Sequence, residues 1–293
     1  MLPMGDWMRA EEWEARRYVG GGIYASDTLS LKKLMALLSP ELWIKKQILA
    51  IQEYSILSGT AIADIFTRPH YWADVYSQMD SIGVGSMPII VLTGFFTGCV
   101  LALQSVTALK EFGAVSMTGS LVSLSMVKEL GPVLTGLMVS GRNAAGMASE
   151  LGSMKVTEQL DAMRALGTDP LRKLVAPRLI ATVFMLFFLT ILADAFGIAG
   201  GALVSVYLLG LNGSTYLHDS YRSLVYGDVV QGLTKPLFSG FIIATVGCYF
   251  GMKTTGGTQG VGRATTQAVV VSSVFIIIVD LLVTRAMIGI FGS

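Results

Sequence analysis

Residues 81 to 109 include no aspartate, glutamate, lysine or arginine, which makes an uncharged run of 29 residues. About 20 apolar residues in a helix are enough to cross the roughly 30 Å hydrocarbon core of a bilayer. The whole chain is 53% hydrophobic and only 14% charged, whereas about 25% of the residues of a soluble domain are charged. The sequence therefore predicts an integral membrane protein.

Four further apolar runs are long enough to cross a bilayer, and charged residues interrupt some of them. They cover residues 112–149, 179–209, 236–252 and 264–291, and the helix of the third of these is expected to extend backward to about residue 229. Because a lone segment in lipid satisfies its backbone hydrogen bonds only as a helix, the predicted fold is an all-α integral membrane protein with five transmembrane helices.

Lysine and arginine are distributed unevenly among the segments that connect these runs. Taken alternately along the chain, one set of segments holds fifteen of the 21 basic residues and the other set holds three. The N-terminal segment belongs to the set with fifteen. Cytoplasmic segments of membrane proteins carry the excess of lysine and arginine. The sequence therefore predicts a cytoplasmic N-terminus and, after five crossings, a C-terminus on the opposite side.

Ahead of the first run, the sequence predicts two regions that precede the five-helix domain at 81–293. Residues 1–40 form an N-terminal cytoplasmic extension, and 41–80 contain an amphipathic helix that begins at Pro40, directly after a capping Ser39. The isoleucines at 44, 48, 51, 62 and 65 follow helical spacing. That pattern favours a helix in the membrane interface, and a soluble helix packed on another chain is the alternative.

Several classes of function are excluded by what the sequence lacks. A net charge of +1 argues against nucleic-acid binding. The chain has no Gly-Lys dipeptide and therefore no phosphate-binding P-loop, and it has no HExxH helix for a metal. If the protein works against a gradient, another chain must supply the energy.

Three glycine pairs at GxxxG spacing occur in the apolar runs, at 94/98, 197/201 and 247/251. Such pairs allow two helix backbones to approach closely in lipid. We expect each pair to pack inside one chain, and a dimer face is the alternative.

The connection between the second and third runs is the most informative segment outside the membrane. Four apolar residues at 156, 160, 163 and 166 lie at helical spacing, Gly167 can end a helix, and Asp169 with Pro170 can start another. The segment therefore predicts a short amphipathic helix near 153–167 that can dock on a soluble partner. A solvated surface loop is equally compatible with the pattern.

Charges inside the apolar runs predict a charged layer near the outer membrane surface. Asp280 follows cytoplasmic Arg263 by 17 residues, or about 25 Å of helix at 1.5 Å per residue. Asp194 reaches a similar depth by the same arithmetic, and the predicted orientation places Glu129 and Lys235 near the outer ends of their helices. We call Glu129, Lys235 and Asp280 the charge layer, and predict that Lys235 pairs with one of the two carboxylates. Side chains that reach out to the interface separately are the alternative.

Several motifs in register give the chain a resemblance to a known family. They are ELGP at 129–132, GR at 141–142, VTEQ at 156–159, DP at 169–170, PR at 177–178 and GRATT at 262–266. From about Leu42 to the C-terminus the chain resembles the MlaE (YrbE) family of ABC-transporter permeases. The first 40 residues lie outside the resemblance.

The resemblance implies a homodimeric, multi-pass permease of the bacterial inner membrane that moves phospholipids between the inner and outer membranes. Its implied partners are an ABC ATPase subunit and an MCE-domain substrate-binding protein. The chain itself would be no enzyme and hold no cofactor or metal, because ATP and Mg²⁺ would bind to the ATPase.

The resemblance also implies two sets of functional residues. The ATPase-coupling set is Met154, Lys155, Val156, Thr157, Glu158 and Gln159, and the lipid-cavity set is Val100, Leu101, Leu103 and Gln104. A hydrogen bond from Gln104 to a neighbouring helix is the alternative to lipid contact. For the whole chain, the alternative is a membrane scaffold that anchors a cytoplasmic partner without transport.

Overall fold

The computed structural model describes residues 40–65, 67 and 71–291, so the predicted extension before Pro40 lies outside the described residues. All regular structure in the described part is helical. We number the helices in chain order: α1 Pro40–Ile65, α2 Trp72–Lys110, α3 Val115–Val156, α4 Gln159–Ala165, α5 Leu171–Tyr207, α6 Gly213–Ser223, α7 Tyr226–Met252 and α8 Gly257–Phe291. Two compact units are distinguished, 1–53 and 54–293, and all five long apolar helices belong to the second.

The prediction of five spanning helices is confirmed, because α2, α3, α5, α7 and α8 are each long and apolar enough to cross a membrane. Their ends differ from the predicted ones. Helix α2 begins at Trp72 inside the region assigned to the interfacial helix, and α3 has 42 residues, about 63 Å at 1.5 Å per residue. An apolar run marks only the part of a helix that lies in the hydrocarbon core. The helix itself continues beyond that part with polar residues, so its ends are not given by the run.

Helix α1 begins at Pro40, as the sequence predicts. Four of its five patterned isoleucines, Ile44, Ile48, Ile51 and Ile62, are exposed. A helix that exposes aliphatic side chains needs an apolar surface to cover them, so the interfacial interpretation and packing on another chain both stay open.

The glycine pairs pack within the chain, as expected. A Cβ at Gly94 would meet the backbone of Ala193, and a Cβ at Gly98 would collide with the backbone of Gly197, so α2 and α5 touch backbone to backbone. In the same way Gly247 on α7 lies against Ala144 of α3. Close backbone approach increases dispersion contact where lipid removes most of the hydrophobic driving force.

Helix α3 contains two turns of π-helix, at Met126–Leu130 and Ser140–Ala144. The first directly precedes Gly131 and Pro132. Proline has no N–H to donate and its ring displaces the carbonyl four residues before it. A wide turn relieves this clash, so the helix continues through the proline. Both π-helical turns carry charged or polar side chains, and the two regions of interest form around them.

Candidate functional site

The charge layer begins with a backbone carbonyl that Pro132 leaves free. The carbonyl of Lys128 lies four residues before the proline, so the usual helical donor for it is missing. Lys235 of α7 replaces that donor, with its Nζ donating to Lys128 O at 2.8 Å. The ELGP motif therefore contributes an acceptor for a lysine on another helix.

The same ammonium group contacts both carboxylates of the charge layer. Lys235 Nζ lies 2.5 Å from Glu129 Oε2 and 2.9 Å from Asp280 Oδ1. The side chain of Lys235 is 2% exposed, so it does not reach out to the interface, and the alternative of separate interfacial side chains is wrong for this lysine. The predicted pairing is confirmed, and Lys235 engages both candidates instead of one.

Exposure differs sharply within the charge layer. Glu129 keeps 42% of its side chain exposed and Asp280 keeps 19%. Thr284, one turn after Asp280 on α8, donates to the other oxygen of Glu129 at 3.2 Å. Glu129 is therefore a carboxylate held in place by a buried cation and a hydroxyl while one side of it remains open.

A second ion pair adjoins the charge layer. Lys128 Nζ lies 2.8 Å from Asp228 Oδ1, at the start of α7. Asp228 also accepts the backbone N–H of Val225 at 3.1 Å through its other oxygen. Sequence reasoning missed Asp228, because it considered only charges deep in the apolar runs. An acidic residue in the first turn of a helix was the available signal.

Asp194 reaches the predicted depth but joins no ion pair in the described part of the chain. It is buried on α5, and its Oδ1 fills the space that a side chain at Gly131 would need. That oxygen has no hydrogen-bond partner among the described residues. Asp194 thus packs against α3 beside the charge layer.

Three of the four predicted lipid-cavity residues line one groove. Val100, Leu101 and Gln104 of α2 line an open cavity of about 340 Å³, together with Phe96, Thr97 and Leu130. Leu103 is exposed but is not among the residues that line this cavity. Leu130 directly follows Glu129, so the groove borders the charge layer.

Gln104 is exposed, and its amide makes no hydrogen bond within the described residues. The alternative, a bond from this amide to a neighbouring helix, therefore has no support inside the described chain. A free amide on an apolar groove is available to a ligand.

The cytoplasmic connection is divided into two helical pieces, which corrects the prediction of one helix near 153–167. Helix α3 continues to Val156, so Met154, Lys155 and Val156 belong to its last turn. Thr157 and Glu158 form a break, and α4 starts at Gln159. The break is at Glu158, which has φ 58° and ψ 14°, the one non-glycine residue with positive φ in the described chain.

A left-handed residue with a Cβ costs roughly 1–2 kcal/mol, so the break at Glu158 stores backbone strain. The Glu158 side chain is exposed and makes no hydrogen bond or ion pair within the described residues. Strain of this kind is often retained at functional positions. Glycine was absent here, so the pattern of residue types gave no signal of the break.

Two neighbouring charges of the connection are occupied with each other. Lys155 Nζ lies 2.8 Å from Asp161 Oδ2, and Arg164 Nη1 lies 3.3 Å from Asp161 Oδ1. The hydrogen bond from Lys155 lowers the pKa of Asp161 below its usual value. The end of α3 is thus tied to α4 across the break, and Glu158 is the carboxylate left free at the junction.

Turns predicted after α4 are present. Gly167 has φ 78° and ends the segment in the left-handed conformation. Asp169 Oδ1 accepts the backbone N–H of Leu171 at 2.9 Å, which caps the start of α5. The bond to Asp169 and the left-handed conformation of Gly167 confirm the prediction that Gly167 ends one helix and Asp169 caps the next.

Comparison with known families gives one match that covers most of the chain. The profile of the family described as Permease MlaE matches residues 75–286, a range that includes the charge layer, the groove and the ATPase-coupling set.

Individual relatives agree with the family match. The chain is 46% identical, over 80% of its length and 91% of the relative, to a probable ABC transporter permease protein of Rickettsia bellii. It is 36% identical to the intermembrane phospholipid transport system permease protein MlaE of Haemophilus influenzae, over 80% of this chain and 90% of that one. It is also 36% identical to the chloroplastic protein TRIGALACTOSYLDIACYLGLYCEROL 1 of Arabidopsis thaliana, over 77% of this chain and 64% of the relative.

Proposed function

The chain belongs to the MlaE permease family, and from this premise we propose that it is the membrane-spanning subunit of an ABC transporter that moves phospholipid between two membranes. The observation that carries the proposal is the match to an intermembrane phospholipid transport permease over 80% of the chain. The five spanning helices fit this role.

The groove beside the charge layer suits an amphiphile. Phe96, Val100 and Leu101 offer an apolar surface for acyl chains, and the cavity of about 340 Å³ is open. Glu129 directly precedes the lining residue Leu130 and presents a fixed, partly exposed carboxylate. A phospholipid with an ammonium headgroup could therefore place its chains in the groove and its amine at Glu129.

Partners follow from the family and from the missing P-loop. A separate ABC ATPase would bind ATP and Mg²⁺ and dock at the coupling segment, 154–159. An MCE-domain protein would receive or deliver lipid on the opposite face, and two copies of this chain would form the permease. In this arrangement the N-terminus lies in the cytoplasm of a bacterial inner membrane and the C-terminus in the periplasm, as the distribution of basic residues indicates.

Transport can be separated from scaffolding by one reconstitution. The complex purified from native membranes would be placed in vesicles that contain a fluorescent phospholipid, and lipid transfer to acceptor vesicles measured with and without ATP. We expect the ATPase and MCE subunits to co-purify and transfer to require ATP. Co-purification with no ATP-dependent transfer would support the scaffold instead.

The coupling role of Glu158 can be tested with two variants that both remove its carboxylate. Glu158→Gln keeps the strained backbone, whereas Glu158→Gly relieves about 1–2 kcal/mol of strain. If the carboxylate contacts the ATPase, both should lower ATPase association or uncouple hydrolysis from transfer, as should the charge reversal Glu158→Arg. Normal coupling in Glu158→Arg would contradict the role.

Gln104 provides a test of the groove. A photoreactive amino acid at position 104 should capture lipid in the reconstituted complex. The same substitution at Leu103, which is exposed outside the groove, is the matched control for lipid that merely surrounds the helix. Crosslinks from position 104 to protein alone would assign that side chain to helix packing.

A further inference from the structure

Arg142 is a charged residue in a spanning helix with no charged partner among the described residues. It lies in the π-helical turn Ser140–Ala144 of α3 and is exposed. Within the described residues its guanidinium makes a single hydrogen bond, from Nη1 to Ser86 Oγ at 3.4 Å, and no ion pair. A guanidinium has five N–H donors, and charges within spanning helices usually have a partner or face water. Most donors of Arg142 are therefore available.

The surrounding residues hold this guanidinium at a fixed place. A Cβ at Gly85 would collide with its terminal nitrogens, so the glycine allows the group to lie across α2. Asn143, which is 7% exposed, donates from Nδ2 to the same Ser86 Oγ at 3.3 Å. One buried hydroxyl thus receives donors from two adjacent side chains, and the guanidinium is positioned along the surface between α2 and α3.

A cavity with both polar and apolar walls opens beside Asn143, the residue that follows Arg142. It has a volume of about 640 Å³, and its walls include Ser81 of α2 with Asn143, Gly146, Ser149 and Ser153 of α3. Residues spaced by three or four share one face of a helix, so Gly146, Ser149 and Ser153 continue the face of Arg142. Small hydroxyl-bearing walls provide both volume and hydrogen-bond donors.

The acidic residue of the cavity is already neutralised. Glu150 lines the same space, but its Oε2 lies 2.8 Å from Nη2 of Arg178, whose side chain is 4% exposed. Glu150 is thus paired, whereas Arg142, which directly precedes the lining residue Asn143, has no ion-pair partner among the described residues. An anionic group is the ligand that this environment favours.

We propose that Arg142 and the adjoining cavity form a binding site for the phosphate group of a phospholipid. This inference rests on the proposed function and adds a second headgroup position to it. The planar fork of a guanidinium binds two phosphate oxygens at once, and the hydroxyls of Ser81 and Ser149 can donate to the remaining oxygens. The small side chain at position 146 leaves room for the headgroup.

The site is separate from the charge layer. Arg142 follows Glu129 by 13 residues, about 20 Å along the helix at 1.5 Å per residue. The two positions differ in chemistry as well as depth, because the exposed group is a carboxylate at Glu129 and a guanidinium at Arg142. A lipid that moves along α3 would bind through its amine at Glu129 and through its phosphate at Arg142.

The test uses the full complex in phosphatidylcholine vesicles, with a photoreactive amino acid at position 149 in the cavity wall. Two radiolabelled probes are compared: phosphatidylethanolamine, and diacylglycerol, which has no phosphate. We expect Arg142→Gln to reduce phosphatidylethanolamine capture about tenfold or more, as the loss of a charge-assisted hydrogen bond implies, and to leave diacylglycerol capture unchanged. Arg142→Lys keeps the charge without the fork and should retain part of the capture.

Arg285→Gln is the matched control, because this arginine is also exposed on a spanning helix but lies on α8. It should capture both probes as the parent does. Inorganic phosphate added at rising concentration separates the two sources of phosphate, since strong competition would assign the site to the soluble ion and overturn the lipid assignment.

Equal capture of phosphatidylethanolamine by parent and Arg142→Gln would overturn the inference, and so would capture of a second copy of the chain in place of lipid. Elution of Arg142→Gln as a monodisperse complex would establish that this variant folds. If the variant does not fold, the capture of phosphatidylethanolamine by Arg142→Lys is compared with that by the parent instead, and equal capture overturns the inference. If the parent complex transfers lipid and Arg142→Gln captures phosphatidylethanolamine as the parent does, the phosphate site is wrong and the proposed function stands. A parent without ATP-dependent transfer removes the proposed function, whatever the crosslinks show.

Discussion

At the charge layer the cation is buried and a carboxylate reaches the surface, whereas at Arg142 the cation is exposed and no carboxylate of the described chain lies beside it. Lys235 Nζ donates to two oxygens and forms an ion pair with a third, all within 2.9 Å, and Arg142 has one weak contact at 3.4 Å. Both groups are held by α3 next to a π-helical turn. The difference indicates that the first cluster stabilises the helix bundle, while the second remains free for a ligand.

The largest expected effect comes from removing the buried cation. Lys235→Met leaves two carboxylates without their counter-charge, and breaking a buried pair from one side typically costs about 3–5 kcal/mol. We expect a loss of that size in the free energy of unfolding, measured by titration with sodium dodecyl sulfate in mixed micelles. Lys155→Met removes one member of a more exposed pair and should cost about 1 kcal/mol or less. Equal losses in the two variants would mean that the charge layer is solvated.

A double-mutant cycle sharpens the comparison within the charge layer. In Glu129→Gln or Asp280→Asn, Lys235 keeps one carboxylate, and in the double variant it keeps neither. Residues in one ion-pair network usually show coupling of about 0.5–3 kcal/mol, so we expect the double variant to lose more than the two single losses combined. Additive losses in unfolding and in lipid transfer would contradict a shared role for the two carboxylates.

The smallest effect on stability is expected at Arg142. Arg142→Gln breaks no ion pair of the described chain, and substitutions away from such features usually change stability by no more than about 0.5 kcal/mol. Transfer of phospholipid should nevertheless fall. A loss of stability close to that of Lys235→Met, measured in the same titration, would show that Arg142 has a structural partner and that the two regions do not differ as described.

Much of the fold follows from the sequence because lipid imposes one strong constraint. Apolar runs locate all five spanning helices, and depth along a helix places Lys235 level with Glu129 and Asp280. The ends of α2 and α3 do not follow, since nothing forces a helix to stop where the hydrocarbon stops. A depth calculation also says nothing about rotation around the helix axis, so the contact of Arg142 with Ser86 does not follow from it.

The cytoplasmic connection between α3 and α5 shows a different limit. Its turn residues Gly167 and Asp169 behave as their types predict, because local hydrogen bonding and glycine geometry decide there. The break at Glu158 is held by its surroundings, with Lys155 bound to Asp161 across it. A glutamate in the left-handed region has no signature in residue type, so helical spacing suggested one continuous helix.

Pro132 has a consequence for how this family can vary. The acceptor that it exposes for Lys235 belongs to the backbone of residue 128, so no change of side chain at that position can delete it. A substitution of Lys128 can therefore remove its ion pair with Asp228, while Lys235 on α7 keeps its backbone acceptor. The hydrogen bond of Lys235 therefore depends on the residue type at position 132 and not on that at position 128, because Pro132→Ala would restore an amide that competes for the same carbonyl.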